Sequence, residues 1–102
     1  MLELRPNCEL CDVDLPPDSP EARICTYECT FCASCVENVL YDVCPNCGGN
    51  FEPRPIRPAQ ARREGTGLPS HPADTRRRHS RHTRDDLAAF AAELRDIPPR
   101  ER

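Results

Sequence analysis

Eight cysteines, all lying between Cys8 and Cys47, constrain this 102-residue chain more than any other feature. They fall as Cys8-x2-Cys11, thirteen residues, Cys25-x3-Cys29-x2-Cys32-x2-Cys35, eight residues, then Cys44-x2-Cys47. Two cysteines separated by two residues suit a metal knuckle, because the tight turn brings both sulfurs to one ion, at about 2.3 Å for zinc. Backbone N–H groups in such a turn also hydrogen-bond the thiolates and offset their charge. Eight thiolates complete two tetrahedral sets with none left over, and a closed set is structural where a catalytic zinc keeps one position open. All eight are therefore candidate metal ligands: Cys8, Cys11, Cys25, Cys29, Cys32, Cys35, Cys44 and Cys47. The segment Met1-Leu-Glu-Leu-Arg-Pro has no apolar run of signal-peptide length, and no window approaches a membrane span. The expected compartment is the cytoplasm, where thiols stay reduced and clustered cysteines serve metals rather than disulfides.

A metal core is also what the composition requires. Only 37% of the residues are apolar, Trp is absent, and twelve prolines dilute the rest. Such a chain cannot fold throughout on hydrophobic burial, and a sizeable enzyme domain with a deep substrate pocket is excluded. Leu10, Val13, Leu15, Ile24, Tyr27, Phe31, Val43 and Phe51 supply a thin expected core. Against it, a structural zinc contributes about 10–16 kcal/mol in zinc-finger peptides, comparable with the whole net stability of a domain, about 5–15 kcal/mol. Val36, Val39 and Leu40 recur at helical spacing and predict one short helix from Ala33 to about Tyr41. Gly48-Gly49 after the last knuckle permits a turn with positive φ.

Charge divides the chain. Residues 1–53 carry ten acids against two arginines, whereas residues 54–102 carry twelve arginines against seven acids. The boundary falls near Phe51-Glu-Pro-Arg-Pro-Ile-Arg-Pro, where alternating prolines prevent a helix. The expected organisation is a zinc-binding domain over 1–55, a disordered Arg/Pro-rich linker over 56–82, and a short amphipathic helix over 83–97. Thr83 is the expected N-cap, followed by Asp85 and Asp86; Leu87, Phe90, Ala91 and Leu94 form the apolar face, and Pro98-Pro99 ends the run. Whether that helix docks on the head is open at this level. Loose electrostatic attraction between the acidic head and the basic arm is expected at low ionic strength.

Spacing alone leaves the ligand pairing open: the first four cysteines and the last four, or pairs one and three against pairs two and four. The order C-x2-C, C-x3-C-x2-C-x2-C, C-P-x-C resembles the RING finger, with Cys29 where a RING has His, Phe31 before Cys32, and Pro45 in the last knuckle. That resemblance implies a small metal-stabilised α+β cross-brace in which Cys8, Cys11, Cys32 and Cys35 hold one zinc and Cys25, Cys29, Cys44 and Cys47 the other. A closer likeness rests on Leu4-Arg-Pro-Asn-Cys-Glu-Leu-Cys, Asp14-Leu-Pro-Pro-Asp-Ser, Glu28-Cys-Thr-Phe-Cys, Cys35-Val-Glu-Asn-Val-Leu, Cys44-Pro-Asn-Cys-Gly-Gly and Arg54-Pro-Ile-Arg-Pro. These stretches are similar to a small bacterial family, domain of unknown function 1272, a likeness that imports no activity.

The functional expectation is a non-catalytic zinc-binding module, with two zinc ions, that contacts an unknown protein partner and no membrane. Ubiquitin-ligase activity is not expected: Gly48 follows the final cysteine where ligases often place a basic residue, and no Trp is available for the usual contact groove. An iron–sulfur reading would leave the Cys8/Cys11 and Cys44/Cys47 spacings unused. Two alternatives remain. Arg76, Arg77, Arg78, Arg81 and Arg84 would neutralise phosphates in a nucleic-acid-associated regulator, although no aromatic interleaves them to stack on bases. Oxidation of the thiolates would make a redox-responsive zinc switch. His71, His79 and His82 are surplus to two four-cysteine sets, and no Ser-His-Asp set, HExxH or phosphate loop is present.

Overall fold

A computed structural model describes all 102 residues. Strands β1 (Ala22–Ile24) and β2 (Thr30–Cys32) form an antiparallel hairpin, with Ala22 opposite Cys32 and Ile24 opposite Thr30. Strand β3 (Glu52–Pro53) adds to the other edge of β1, giving the order β2-β1-β3. Three short strands have too little surface to be stable alone. They are a frame for the cysteines, two of which, Cys25 and Cys29, bound the hairpin turn itself.

The chain leaves β2 directly into helix α1 (Ala33–Cys35), which continues as a π-helical turn over Val36–Leu40. Cys32 is the N-cap, its Sγ accepting from the Cys35 N–H, so one sulfur both ends a strand and starts a helix. Tyr41 closes the turn in the left-handed region, at φ 49°. The expected helix from Ala33 to about Tyr41 is therefore present, with its last turn widened. Val36 and Leu40 face inward and meet Leu15, Phe31 and Phe51 among the cysteines. Phe31 and Phe51 pack edge to face, centroids 5.5 Å apart. Only 24 of 102 residues are buried, and six of these are cysteines, so apolar packing alone leaves the head thin. Two expected core residues are corrected: Val13 is 49% and Tyr27 72% exposed, because each emerges from a knuckle turn whose backbone faces the sulfurs.

Helix α2 (Arg84–Leu94) begins where the cap signal places it. Thr83 Oγ1 accepts from the Asp86 N–H and the Asp86 carboxylate accepts from the Thr83 N–H, a reciprocal capping box. The helix docks on the head: Leu87 is 2% exposed and shares its cluster with Cys25, Cys29, Val36 and Leu40. Arg95 stacks over the Tyr41 ring at 4.0 Å, and the Arg102 guanidinium donates to the carbonyls of Asp42 and Gly48.

The segment 56–82 contains no helix or strand, as its prolines require, yet it is not the free linker expected from composition. Arg57 donates to the Leu2 and His71 carbonyls, and the Asp74 N–H donates to the Glu3 carbonyl. Asn7 exchanges two hydrogen bonds with the backbone of Arg78, and the Ser80 N–H donates to the Glu9 carbonyl at 2.6 Å. A polar backbone tied at these points lies along the head without needing apolar burial. Arg54, at the head's edge, is 5% exposed and donates to the carbonyls of Arg5, Leu15 and Pro16, joining the N-terminal loop to β3.

Candidate metal centres

The cysteines gather into two interleaved sets. The sulfurs of Cys8, Cys11, Cys32 and Cys35 all lie within 4.8 Å of one another, and Cys11 and Cys32 are 3.7 Å apart. A tetrahedron of sulfurs about 2.3 Å from a central ion has edges of about 3.8 Å, so this spacing fits a four-thiolate site. In the second set Cys25, Cys44 and Cys47 lie within the same 4.8 Å limit, and Cys29 shares thiol hydrogen bonds with Cys25 and Cys44. Of the two pairings that spacing leaves open, the structure has pairs one and three together and pairs two and four together.

Local hydrogen bonding explains the choice. The first knuckle is pinned to β2 because the Glu9 N–H donates to the Thr30 carbonyl while the Thr30 N–H donates to the Glu9 carboxylate at 2.5 Å. Glu9 is 6% exposed, and its charge is met by Arg5 Nη1 at 3.2 Å. That clamp sets Cys8 and Cys11 over Cys32 and Cys35. The last knuckle is carried to the hairpin turn by β3 and by the Phe51 N–H, which donates to the Asp42 carboxylate. Asn46 Nδ2 then reaches Cys29 Sγ at 3.3 Å.

The knuckles are alike in detail. In the first, the Cys8 N–H meets the Val13 carbonyl and the Asp12 N–H the Cys8 carbonyl; in the last, Cys44 pairs with Gly49 and Gly48 with Cys44 in the same way. Asp12 and Gly48 occupy equivalent left-handed positions, φ 67° and 77°, where Gly is unstrained and Asp is among the tolerated residues. Backbone N–H groups of Cys11, Tyr27, Cys35 and Gly49 point at the sulfurs of Cys8, Cys25, Cys32 and Cys47 at 3.3–3.5 Å.

Thiol electrostatics within each set are those of crowded groups that cannot all ionise unaided. Hydrogen bonds from Cys29 and Cys44 hold Cys25 down to about 3. The same bonds to Cys25 and Cys29, with burial, push Cys44 far up. In the other set, burial and then the bond to Cys32 push Cys35 up, and burial raises Cys32. Against its own burial, Cys11 is pulled down by the Val13 N–H and by the thiols of Cys8, Cys32 and Cys35. A divalent cation removes the conflict by letting every thiol lose its proton, which is why such sites bind metal with proton release. Soft thiolate donors in a closed tetrahedron fit a zinc-like ion.

The other singled-out residues are dispersed around these sets. Arg77 brackets Asp12 and Asp14 at 2.8 and 2.6 Å, and Arg78 meets Glu3 at 2.9 Å. Arg76, Arg81 and Arg84 are exposed. His79 rests on Asp12 and His82 on Asn46, so neither reaches a sulfur. Glu9, Asn7 and Arg54 lie within the quoted stretches, but their buried roles do not show in the motif. A charged or amide residue inside a knuckle or a Pro-rich strip reads as solvated, and only the partners' positions reveal the buried role. No helix is long and apolar enough to cross a membrane.

Residues 1–57 match the model of a family described as a protein of unknown function, DUF1272. An uncharacterized protein of Rhizobium meliloti (strain 1021) is 58% identical over 77 residues, covering 76% of this chain and 84% of the relative. No solved structure matches.

Proposed function

We propose that this chain, which belongs to the DUF1272 family, is a non-catalytic interaction module whose surface is held in shape by two zinc ions. The observation that carries the reading is the complete use of eight cysteines in two interleaved closed sets, with no thiol left over as a nucleophile. Metal sites of that kind organise surface rather than perform chemistry. Two large side chains are displayed on the resulting turns, Val13 beside the first set and Tyr27 beside the second. Tyr27 is fixed by its own N–H on Cys25 Sγ. The test is quantitative affinity capture with the full metal-loaded chain and with a Val13→Ser/Tyr27→Ser variant of unchanged metal content and melting temperature. A protein retained by the first and lost with the second supports the reading. Identical captures, or capture that survives metal removal, would overturn it.

A redox-responsive zinc switch is the second reading, favoured by one exposed thiol in each set, Cys11 and Cys47. Peroxide at micromolar dose would then release metal from the full chain, and metal retained under that treatment would dismiss it.

A further inference from the structure

The segment from Arg76 to His82 runs past the first knuckle and, with Arg5, Glu9 and Asn46, walls a cleft of about 690 Å³. No apolar residue lines it. Arg5, Arg76, Arg77, Arg78 and Arg81 face it against the single carboxylate of Glu9. Three of those cations are matched from outside or beneath: Arg5 by Glu9 and Glu3, Arg77 by Asp12 and Asp14, Arg78 by Glu3 and, at 3.8 Å, Asp74. Arg76 and Arg81 have no carboxylate within ion-pair distance, and the Nε of Arg78 is buried without a partner. With three of the five guanidinium groups already matched, Arg76 and Arg81 are the two whose charge an anion in the cleft would complete.

We infer that this cleft is a binding site for a small phosphate-bearing ligand, held by the guanidinium groups of Arg76 and Arg81. The backbone carrying them is already fixed. Asn7 pairs with Arg78 on both sides, at 2.7 and 3.2 Å, and Ser80 is tied to Glu9. The ordering cost of binding is therefore reduced before the ligand arrives. Guanidinium is also the group whose planar fork matches a phosphate with paired hydrogen bonds. The ligand class is a compact one. The cleft offers no Phe, Tyr, Trp or aliphatic wall for a base, and its two imidazoles, His79 and His82, are engaged by Asp12 and Asn46. The chain as a whole carries −3, and two zinc ions on eight thiolates would take it to about −7, which opposes a long polyanion. A ligand with one or two phosphate groups, satisfied inside the cleft, escapes that repulsion.

Calorimetric titration of the full reduced chain with inorganic pyrophosphate at low ionic strength tests the inference, with bound metal measured before and after. We expect saturable one-site binding, weakened about tenfold by Arg76→Gln and again by Arg81→Gln, and unchanged within about twofold by Arg84→Gln. All three side chains are exposed, so the fold is not at risk. Absence of binding at about 1 mM pyrophosphate would overturn the inference, as would heat accompanied by metal loss or equal weakening by Arg84→Gln. Tighter binding of a single-stranded oligonucleotide, with Arg84 contributing as much as Arg76, would replace it with a nucleic-acid surface along the arm.

Discussion

Leu87 offers a direct measure of how firmly the C-terminal helix is joined to the metal core. Its side chain is 2% exposed and lies in the cluster that contains Cys25, Cys29, Cys35, Val36, Leu40 and Cys44. The other apolar residues of α2 on that face are smaller or only half-buried: Ala91 is buried, whereas Phe90 and Leu94 retain exposure. Truncation by Leu87→Ala removes a buried leucine, which costs about 2–5 kcal/mol where the site cannot collapse. An eleven-residue helix is marginal on its own. The cost should accordingly appear as local undocking and fraying of α2, leaving the sheet and sulfur sets intact. Native-state hydrogen exchange reads this residue by residue. Amides of Leu87–Leu94 should lose protection by about 30-fold or more, the factor equivalent to 2 kcal/mol, while Ile24 and Phe31 in the hairpin keep theirs. The control is Ala88→Gly at an exposed position, which weakens the helix by propensity alone, about 1 kcal/mol or roughly fivefold. Equal effects of the two substitutions would refute docking through Leu87. Loss of protection spread evenly over hairpin and helix would refute local undocking.

Three further outcomes follow from the same packing. Arg54→Ala leaves the carbonyls of Arg5, Leu15 and Pro16 without their buried donor and should cost at least about 2 kcal/mol in urea unfolding, with loss under about 0.5 kcal/mol contradicting that role. Gly48→Ala places a Cβ at φ 77°, 3.1 Å from Leu94 Cδ1, and should cost about 1–2 kcal/mol from the left-handed backbone, whereas Gly49→Ala, without positive φ, should cost less. Because β2 runs from the Cys29 side of one set to Cys32 in the other, Cys35→Ser should lower metal content below one ion per chain; a stable, folded one-metal protein would contradict this coupling.

The residues that could be interpreted from sequence were those whose function is local. Cysteine spacing marks each knuckle because the turn needs only four residues, and Thr83 with Asp86 marks a helix start because capping is a three-residue exchange. The grouping of knuckles was not local. It depends on Glu9 meeting Thr30, 21 residues away, and neither residue type announces that contact. Val13 and Tyr27 show the opposite failure: apolar character suggested burial, but knuckle geometry turns their side chains outward. The contacts of the arm are non-local in the same way. Composition describes a segment that cannot build a core, and residues 56–82 build none. They are held instead by backbone bonds to Glu3, Asn7 and Glu9, with Asn7 and Arg78 separated by 71 residues, and by arginines whose acidic partners lie on the first knuckle. Long-range polar pairing of that kind leaves no periodic trace.

Two closed four-thiolate zinc sites are the proposed core of the head. Elemental analysis of the reduced, purified full chain, paired with a count of thiols open to alkylation, tests it most directly. Two zinc ions per chain with all eight cysteines protected, and complete unmasking with loss of the hairpin when a chelator removes the metal, is the predicted result. One zinc per chain, iron with acid-labile sulfide, or a metal-free chain that keeps its folded hairpin would contradict it.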